Sequence, residues 1–229
     1  IPANGDCEVL ADADGNLIKG FYAAGEVACL SVHGANRLGT NSLLGASLFG
    51  RRAGVSMAKF INDGAELYPL NGDPAAAAQA KLDHFKNDPV DGEVERYSQI
   101  AAELKLIMTN KCGVFRDDAR LREALEDIKA LQARFKNARV MDKSNRFNND
   151  VLGAIETDHL LTFSQVIVES ALARPESRGA HSRTDHVKRN DTDWLMHTMA
   201  HQNKDGNPEL SYKSVCVYYD RFPPQERKY

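Results

Sequence analysis

Two periods of hydrophobic residues run along this chain, and they divide it. Near the start, Cys7-Glu-Val-Leu10, the turn signal Asp14-Gly15 and Leu17-Ile18 predict a β-hairpin. Phe21-Tyr-Ala-Ala-Gly-Glu26 then reads as a short buried strand ending in a glycine and a carboxylate. From Leu43 to about Ile61 the period changes to that of a helix, with Leu44, Leu48 and Val55 on one stripe. Periodicity fails over 62–92, where Asn62-Asp-Gly64, Pro69, Asn71-Gly-Asp-Pro74 and Asp88-Pro89 mark a boundary, interrupted by an alanine-rich helix over Ala75–Phe85. Three helical stripes follow: Ile100, Leu104 and Ile107; Leu121, Leu125, Ile128, Leu131 and Phe135; then Leu160, Phe163, Ile167 and Ala171. Asp117-Asp118 and Asn148-Asn149-Asp150 supply helix-start signals, and the short links predict an antiparallel three-helix bundle. The end of the chain, 207–229, with Tyr212, Val215, Val217 and Tyr218-Tyr219, reads as an extended arm on the surface.

The chemistry concentrates between the first strand and the first long helix. Ser31-Val-His-Gly-Ala-Asn-Arg-Leu-Gly-Thr-Asn-Ser-Leu-Leu44 combines small residues, one cation and a polar helix start. Asn41 and Ser42 are good N-cap residues, so the helix begins there. A bound anion or an electron-rich ring edge can sit against free N–H groups and the positive helix end. Gly34, Ala35 and Gly39 leave space around Arg37, whose guanidinium can clamp a carboxylate through two parallel hydrogen bonds, as a lysine cannot. His33 reads as a structural hydrogen-bonder. A second polar cluster at 175–201 mixes Arg178, His181, Arg183, His186, Lys188 and Arg189 with Glu176, Asp185, Asp191 and Asp193. It reads as an interdomain salt-bridge network in which His181 and Arg183 are the members to test for an active-site role.

These stretches carry a family resemblance. The run Gly25 to Leu44 resembles the flavoprotein subunit of succinate dehydrogenase and fumarate reductase. Asp142-Lys-Ser-Asn-Arg-Phe-Asn148, Glu176-Ser-Arg-Gly-Ala-His-Ser-Arg-Thr-Asp185, Asp193-Trp-Leu-Met-His-Thr198 and Glu226-Arg-Lys-Tyr229 resemble the same family's C-terminal half, so nearly the whole chain is covered. The resemblance implies that Glu26 accepts a hydrogen bond from the flavin's ribityl chain, and that Asn41, Ser42 and Leu43 face FAD at the helix start. It also implies that Arg37 binds one carboxylate of succinate or fumarate. The family's proton-transferring residue and the covalent FAD attachment are expected upstream of Ile1, so no catalytic residue is expected here; nor is a metal ligand, for the cysteines lack metal-type spacing. The chain lacks a Gly-x-Gly-x-x-Gly fingerprint and begins at Ile1, and so is expected to be the C-terminal portion of a longer subunit, inactive alone. It departs from the family pattern at Gly45, where an aspartate is common, at Val187 in place of proline, and at Asn190 in place of an acid.

Composition bounds the rest. The 229 residues can bury a sizeable core, and 42% hydrophobic with 27% charged residues is ordinary for a globular chain. A net charge of −3 argues against nucleic acid as a partner. No apolar run reaches membrane-spanning length, so association with a membrane would come through other subunits. Cys7, Cys29, Cys112 and Cys216 are scattered without metal spacing and read as reduced thiols in a reducing compartment.

The fold expected is α+β: the C-terminal segment of a two-part FAD-binding domain at 1–62, a linker with a short helix at 63–92, a helical bundle at 93–174, and a C-terminal region at 175–229 packing on both. The function the resemblance implies is succinate oxidation or fumarate reduction by hydride transfer to FAD. Electrons would pass through an iron–sulfur subunit to quinone, with membrane anchor subunits contacted indirectly. That would place the chain on the inner face of the cytoplasmic membrane, or the matrix side of the mitochondrial inner membrane. The alternatives are an L-aspartate oxidase, which shares the His-Gly-Ala-Asn-Arg-Leu and Asn-Ser-Leu-Leu runs, or a separately encoded docking or assembly chain without activity.

Overall fold

A computed structural model describes residues 1–66, 69–87, 94–217, 221 and 223. The Asp88-Pro89 signal, Tyr218-Tyr219 and the Glu226–Tyr229 terminus lie outside the described residues. The fold is α+β, and the described residues fall into two compact units. One draws on 1–66, 178–180 and the stretch from 189 onward; the other draws on the stretch between 67 and 177 and on 181–188.

In the first unit, β1 (Glu8–Leu10) and β2 (Leu17–Tyr22) form the expected antiparallel hairpin, with a bulge between the Glu8↔Tyr22 and Leu10↔Leu17 pairs. The buried strand expected at Phe21–Glu26 is not there. The strand ends at Tyr22 with its side chains mostly exposed, and only Ala23 is buried. Gly25, at φ +79, then bends the chain into a 3₁₀ turn over Gly25–Val27. Helix α1 runs from Asn41 to Asn62, close to expectation, yet Ala53 is its one buried residue. The stripe of Leu44, Leu48 and Val55 is exposed. The surface arm expected at the end is half of a second hairpin, β7 (Met196–Gln202) paired with β8 (Pro208–Ser214) through seven residue pairs. The sequence signal for its turn lies in Asn203: its Oδ1 accepts from the N–H groups of Asp205 and Asn207, both at 3.0 Å.

The second unit holds the main core. Helix α2 (Ala76–Lys86) buries Phe85 against three longer helices, α3 (Tyr97–Lys111), α4 (Asp118–Phe135) and α5 (Asn149–Leu172), which pack on one another pairwise. The start signals act as read: Asp117 Oδ1 accepts from Arg120 N–H and Asn148 Oδ1 from Val151 N–H, each at 2.9 Å. Two parallel strand pairs of two residues each tie the connections, β3 (Glu95–Arg96) to β5 (Ala138–Arg139) and β4 (Phe115–Arg116) to β6 (Ser182–Arg183).

Of the stripe expected to be buried on α5, Ala171 alone is buried. Leu160, Phe163 and Ile167 are exposed, Phe163 by 67%, while Ala154, Thr157, Leu161, Ser164, Gln165 and Val168 are buried. This helix is apolar around most of its girth, so periodicity does not choose a face. Close approach chooses it, because the small residues let neighbouring helices in. Gly153 takes part in the same approach: a Cβ there would stand 2.6 Å from the Tyr97 ring. The buried polar groups are bonded, Thr157 Oγ1 donating to Gly153 O at 2.7 Å and Gln132 Nε2 to Gln165 Oε1 at 2.8 Å.

This assignment predicts a contrast measurable by urea unfolding. Ile128, fully buried on α4, should cost about 2–5 kcal/mol as Ile128→Ala, whereas Phe163→Ala should stay within about 0.5 kcal/mol of wild type. Equal losses would mean that α5 packs through its exposed apolar face.

Candidate functional site

The cleft of interest lies in the first unit. It holds about 110 Å³ and is lined by Gly25 and Glu26 of the 3₁₀ turn, by Ala28, Leu30, Val32, His33 and Arg37 of the following loop, and by Ser42, Gly45, Ala46 and Phe49 of α1. Three of the five sequence-predicted site residues, Glu26, Arg37 and Ser42, therefore come together on one wall-and-floor arrangement. Asn41 and Leu43 are not among the lining residues, and Leu43 is 72% exposed.

The helix start differs from the reading of Asn41 and Ser42 as caps. Thr40 holds the N-cap position in left-handed backbone (φ 66), Asn41 is the first helical residue, and no side chain caps the helix. The positive end of α1 thus reaches the cleft without a protein carboxylate or hydroxyl on it, which suits an electron-rich ligand edge. His33 also departs from expectation. Its Nδ1 is buried and has no hydrogen-bond partner among the described residues. The ring sits over α1 at Gly45, where a Cβ would come within 3.2 Å of Nε2. Glu26 and Arg37 are both exposed, a carboxylate and a guanidinium presented by loop backbone on one opening.

The residues fit a flavin: a helix end with no side-chain cap, an acceptor-only carboxylate and, among the described residues, an unpaired guanidinium around one apolar-floored cleft. Comparison with known proteins decides the family. Residues 101–229 match the model of the fumarate reductase flavoprotein C-terminal region, and residues 1–43 match that of an FAD-binding domain. The chain belongs to the fumarate reductase and succinate dehydrogenase flavoprotein family. Curated relatives in this family include the succinate dehydrogenase flavoprotein subunit of Coxiella burnetii, 38% identical over 92% of this chain and 35% of that protein. The fumarate reductase flavoprotein subunit of Mycobacterium tuberculosis is 38% identical over 93% of this chain and 36% of that one. The chain thus spans little more than a third of the length of these relatives. Among solved structures, a chain of E. coli quinol fumarate reductase superposes with TM-score 0.79 at 34% identity, covering 99% of this chain and 37% of its own. The adenylylsulfate reductase of Archaeoglobus fulgidus, at 18% identity and TM-score 0.61, shares the fold. FAD is the cofactor of the flavoprotein family's matched N-terminal model.

The second polar cluster proves to be internal framework. In the second unit Arg183 is 1% exposed, and its donors are spent on protein: Nε and Nη2 donate to the two carboxylate oxygens of Asp185, each at 2.8 Å. Nη1 donates to the last-turn carbonyls of Ala171 (3.1 Å) and Leu172 (3.4 Å) on α5. Asp185 Oδ2 also accepts from Asp118 N–H at the start of α4 (2.9 Å). His181 is equally committed: Nε2 donates to Arg174 O at 3.0 Å, and Nδ1 accepts from Arg116 Nη1 at 3.1 Å. Burial, with the flanking arginines, pushes its pKa below the usual imidazole value, so it stays neutral. In the first unit, Arg178 and Arg189 both pair with Asp191, at 2.7 and 2.8 Å, while Asn190 caps the short helix α6 (Asp191–Trp194). The one N–H of neutral His181 and four of the five N–H groups of Arg183 are therefore spent on protein.

The Arg183 guanidinium holds the Asp185 carboxyl far below the usual carboxylate range. A depressed carboxyl stabilises the fold above its unfolded pKa of about 3.9, and that contribution is lost as pH falls through the folded value. Asp185→Asn should therefore lower the urea midpoint at pH 7 and narrow its gap to wild type as the pH drops below about 4. A gap independent of pH would assign the loss to packing rather than charge.

Proposed function

We propose that this chain forms part of a flavoprotein that interconverts succinate and fumarate, with FAD and one substrate carboxylate bound at the cleft between the Gly25 turn and α1. The observation that carries the reading is the meeting of Glu26, Arg37 and Ser42 around one cleft at the uncapped start of a helix. FAD, when bound, supplies a two-electron acceptor.

The residues divide the work. Glu26, an acceptor-only carboxylate, binds polyol hydroxyls of the cofactor. Ser42 and the positive start of α1 face the electron-rich ring edge, with Asn41 and Leu43 flanking it, and the helix dipole favours negative charge there. Arg37 binds a substrate carboxylate through paired hydrogen bonds and so fixes the orientation of the carbon skeleton. The groups that move the substrate proton and hold FAD covalently are assigned to parts of the flavoprotein outside these 229 residues.

The partners follow from the relatives. One solved neighbour is a quinol–fumarate reductase with menaquinol molecules, another a Mycobacterium smegmatis Sdh1 in complex with UQ1. By analogy, this chain's flavoprotein delivers or receives electrons through an iron–sulfur subunit linked to a quinone site. Membrane anchor subunits would then hold it at the inner face of the cytoplasmic membrane or the matrix side of the mitochondrial one. No helix among the described residues is long and apolar enough to cross a membrane.

In the intact flavoprotein, Arg37→Ala should remove about 3 kcal/mol of carboxylate binding, a roughly 100-fold rise in the succinate requirement, with flavin content unchanged. Arg37→Lys should recover only part of it, for want of a planar fork. Succinate should reduce the flavin and L-aspartate should not. Reduction by L-aspartate instead, or unaltered kinetics in Arg37→Ala, would overturn the assignment.

A further inference from the structure

The loop that carries Arg37 has almost no core of its own. From 28 to 40 every residue is exposed or half-buried. Three of its residues, Ser31 (φ 62), Gly34 (φ 62) and Thr40 (φ 66), adopt left-handed backbone, and two of those are not glycine. Such conformations store strain and persist only where the surroundings over-determine them. What determines this loop comes from the far end of the chain, within the same compact unit.

Two tethers are present. Ala180 N–H donates to Ala35 O at 3.1 Å, and Gly179 (φ 59) lies flat on the same peptide. A Cβ at 179 would stand 2.6 Å from the Ala35 carbonyl carbon and oxygen and 2.7 Å from its Cβ, so only glycine allows this approach. The strap is itself anchored one residue earlier, where Arg178 Nη2 donates to Asp191 Oδ1 (2.7 Å) and Asn190 O (3.2 Å). The second tether is the hydrogen bond between Ser31 Oγ and His197 Nε2 on β7, a strand fixed by its ladder to β8. Ser31 and Ala35 bracket the turn that leads to Arg37 two residues on.

We propose that Gly179, Ala180 and His197 form a positioning strap that holds the Ser31–Arg37 loop, and through it sets where the Arg37 guanidinium stands at the cleft. The inference rests on the reading of Arg37 as the carboxylate-binding residue. None of the strap residues lines the cleft; each acts through the loop. A displacement of about 1 Å at such a clamp is enough to cost roughly 100-fold in a binding or catalytic step.

The test uses the flavin-loaded protein and two readouts. One is malonate, a dicarboxylate without two adjacent saturated carbons to dehydrogenate, titrated against the flavin absorbance. The other is the rate of tryptic cleavage after Arg37, mapped by mass, which reports the loop without any ligand. Gly179→Ala should weaken malonate at least about 10-fold and Ser31→Ala about 3- to 10-fold, with flavin content and unfolding midpoint close to wild type. Both should speed cleavage after Arg37 several-fold, while Lys204→Ala, in the exposed β7–β8 turn, should change neither. Wild-type affinity and wild-type cleavage in a folded variant overturn the strap. Should Gly179→Ala fail to fold, Ser31→Ala decides alone by the same two measurements. If malonate fails to bind even the wild type, the dicarboxylate reading of Arg37 falls, and the cleavage rates still decide the strap.

Discussion

A guanidinium removed from water must find a partner for each of its donors, and burying Arg183 organises the second unit around that demand. Its side chain reaches the last carbonyls of α5, where the helix end is negative, and pairs in a fork with Asp185, which in turn holds the first N–H of α4. One charge therefore closes the end of one long helix and the beginning of another, while its backbone, in β6, pairs with β4. Leaving either charge buried alone costs far more than the pair contributes, so the arrangement specifies a geometry more than it adds stability. The hydrophobic core of Ile100, Leu121, Ile128 and Val168 supplies the favourable area, but shape at this end is set by polar bonds.

The first unit applies the same logic to a loop rather than to helix ends. It has a small apolar cluster around Ala3, Val9 and Ala23, and α1 contributes one buried residue. Order around the cleft comes from directional bonds: the bulged hairpin, the Gly25 turn, and the contacts at Ser31 and Ala35. A site made this way presents a carboxylate, a guanidinium and a helix end to solvent without burying any of them, which leaves all three available to a ligand.

How much of this could be read from the residues depended on whether the signal was local. Helix starts at Asp117 and Asn148 were legible because a cap is decided within three residues. So were the extent of α1 and the β1–β2 hairpin, each set by a run of neighbours. The buried face of α5 was not, since Leu160 and Phe163 are as apolar as Leu161 and Val168 and only the size of facing residues separates them. The N-cap at Thr40 was missed because left-handed backbone there overrides the preference of Asn41 and Ser42 for that position. Within the cleft, Glu26, Arg37 and Ser42 were visible through motif and charge. The unpartnered Nδ1 of His33 and the contact of Gly179 on Ala35 were invisible, being produced by approach between segments distant in sequence.

That distance also gives the cleft a history. Ser31 and His197 are 166 residues apart. At synthesis rates of about 5–20 residues per second, roughly 8–33 s separate the appearance of the two halves of that contact. During this interval the Gly25 turn and the first turns of α1 can already form from local sequence, while the segment bearing Arg37 has nothing to hold it. The order of synthesis thus sets both contacts of this loop, at Ser31 and at Ala35, later than the making of the turn and helix they stand beside.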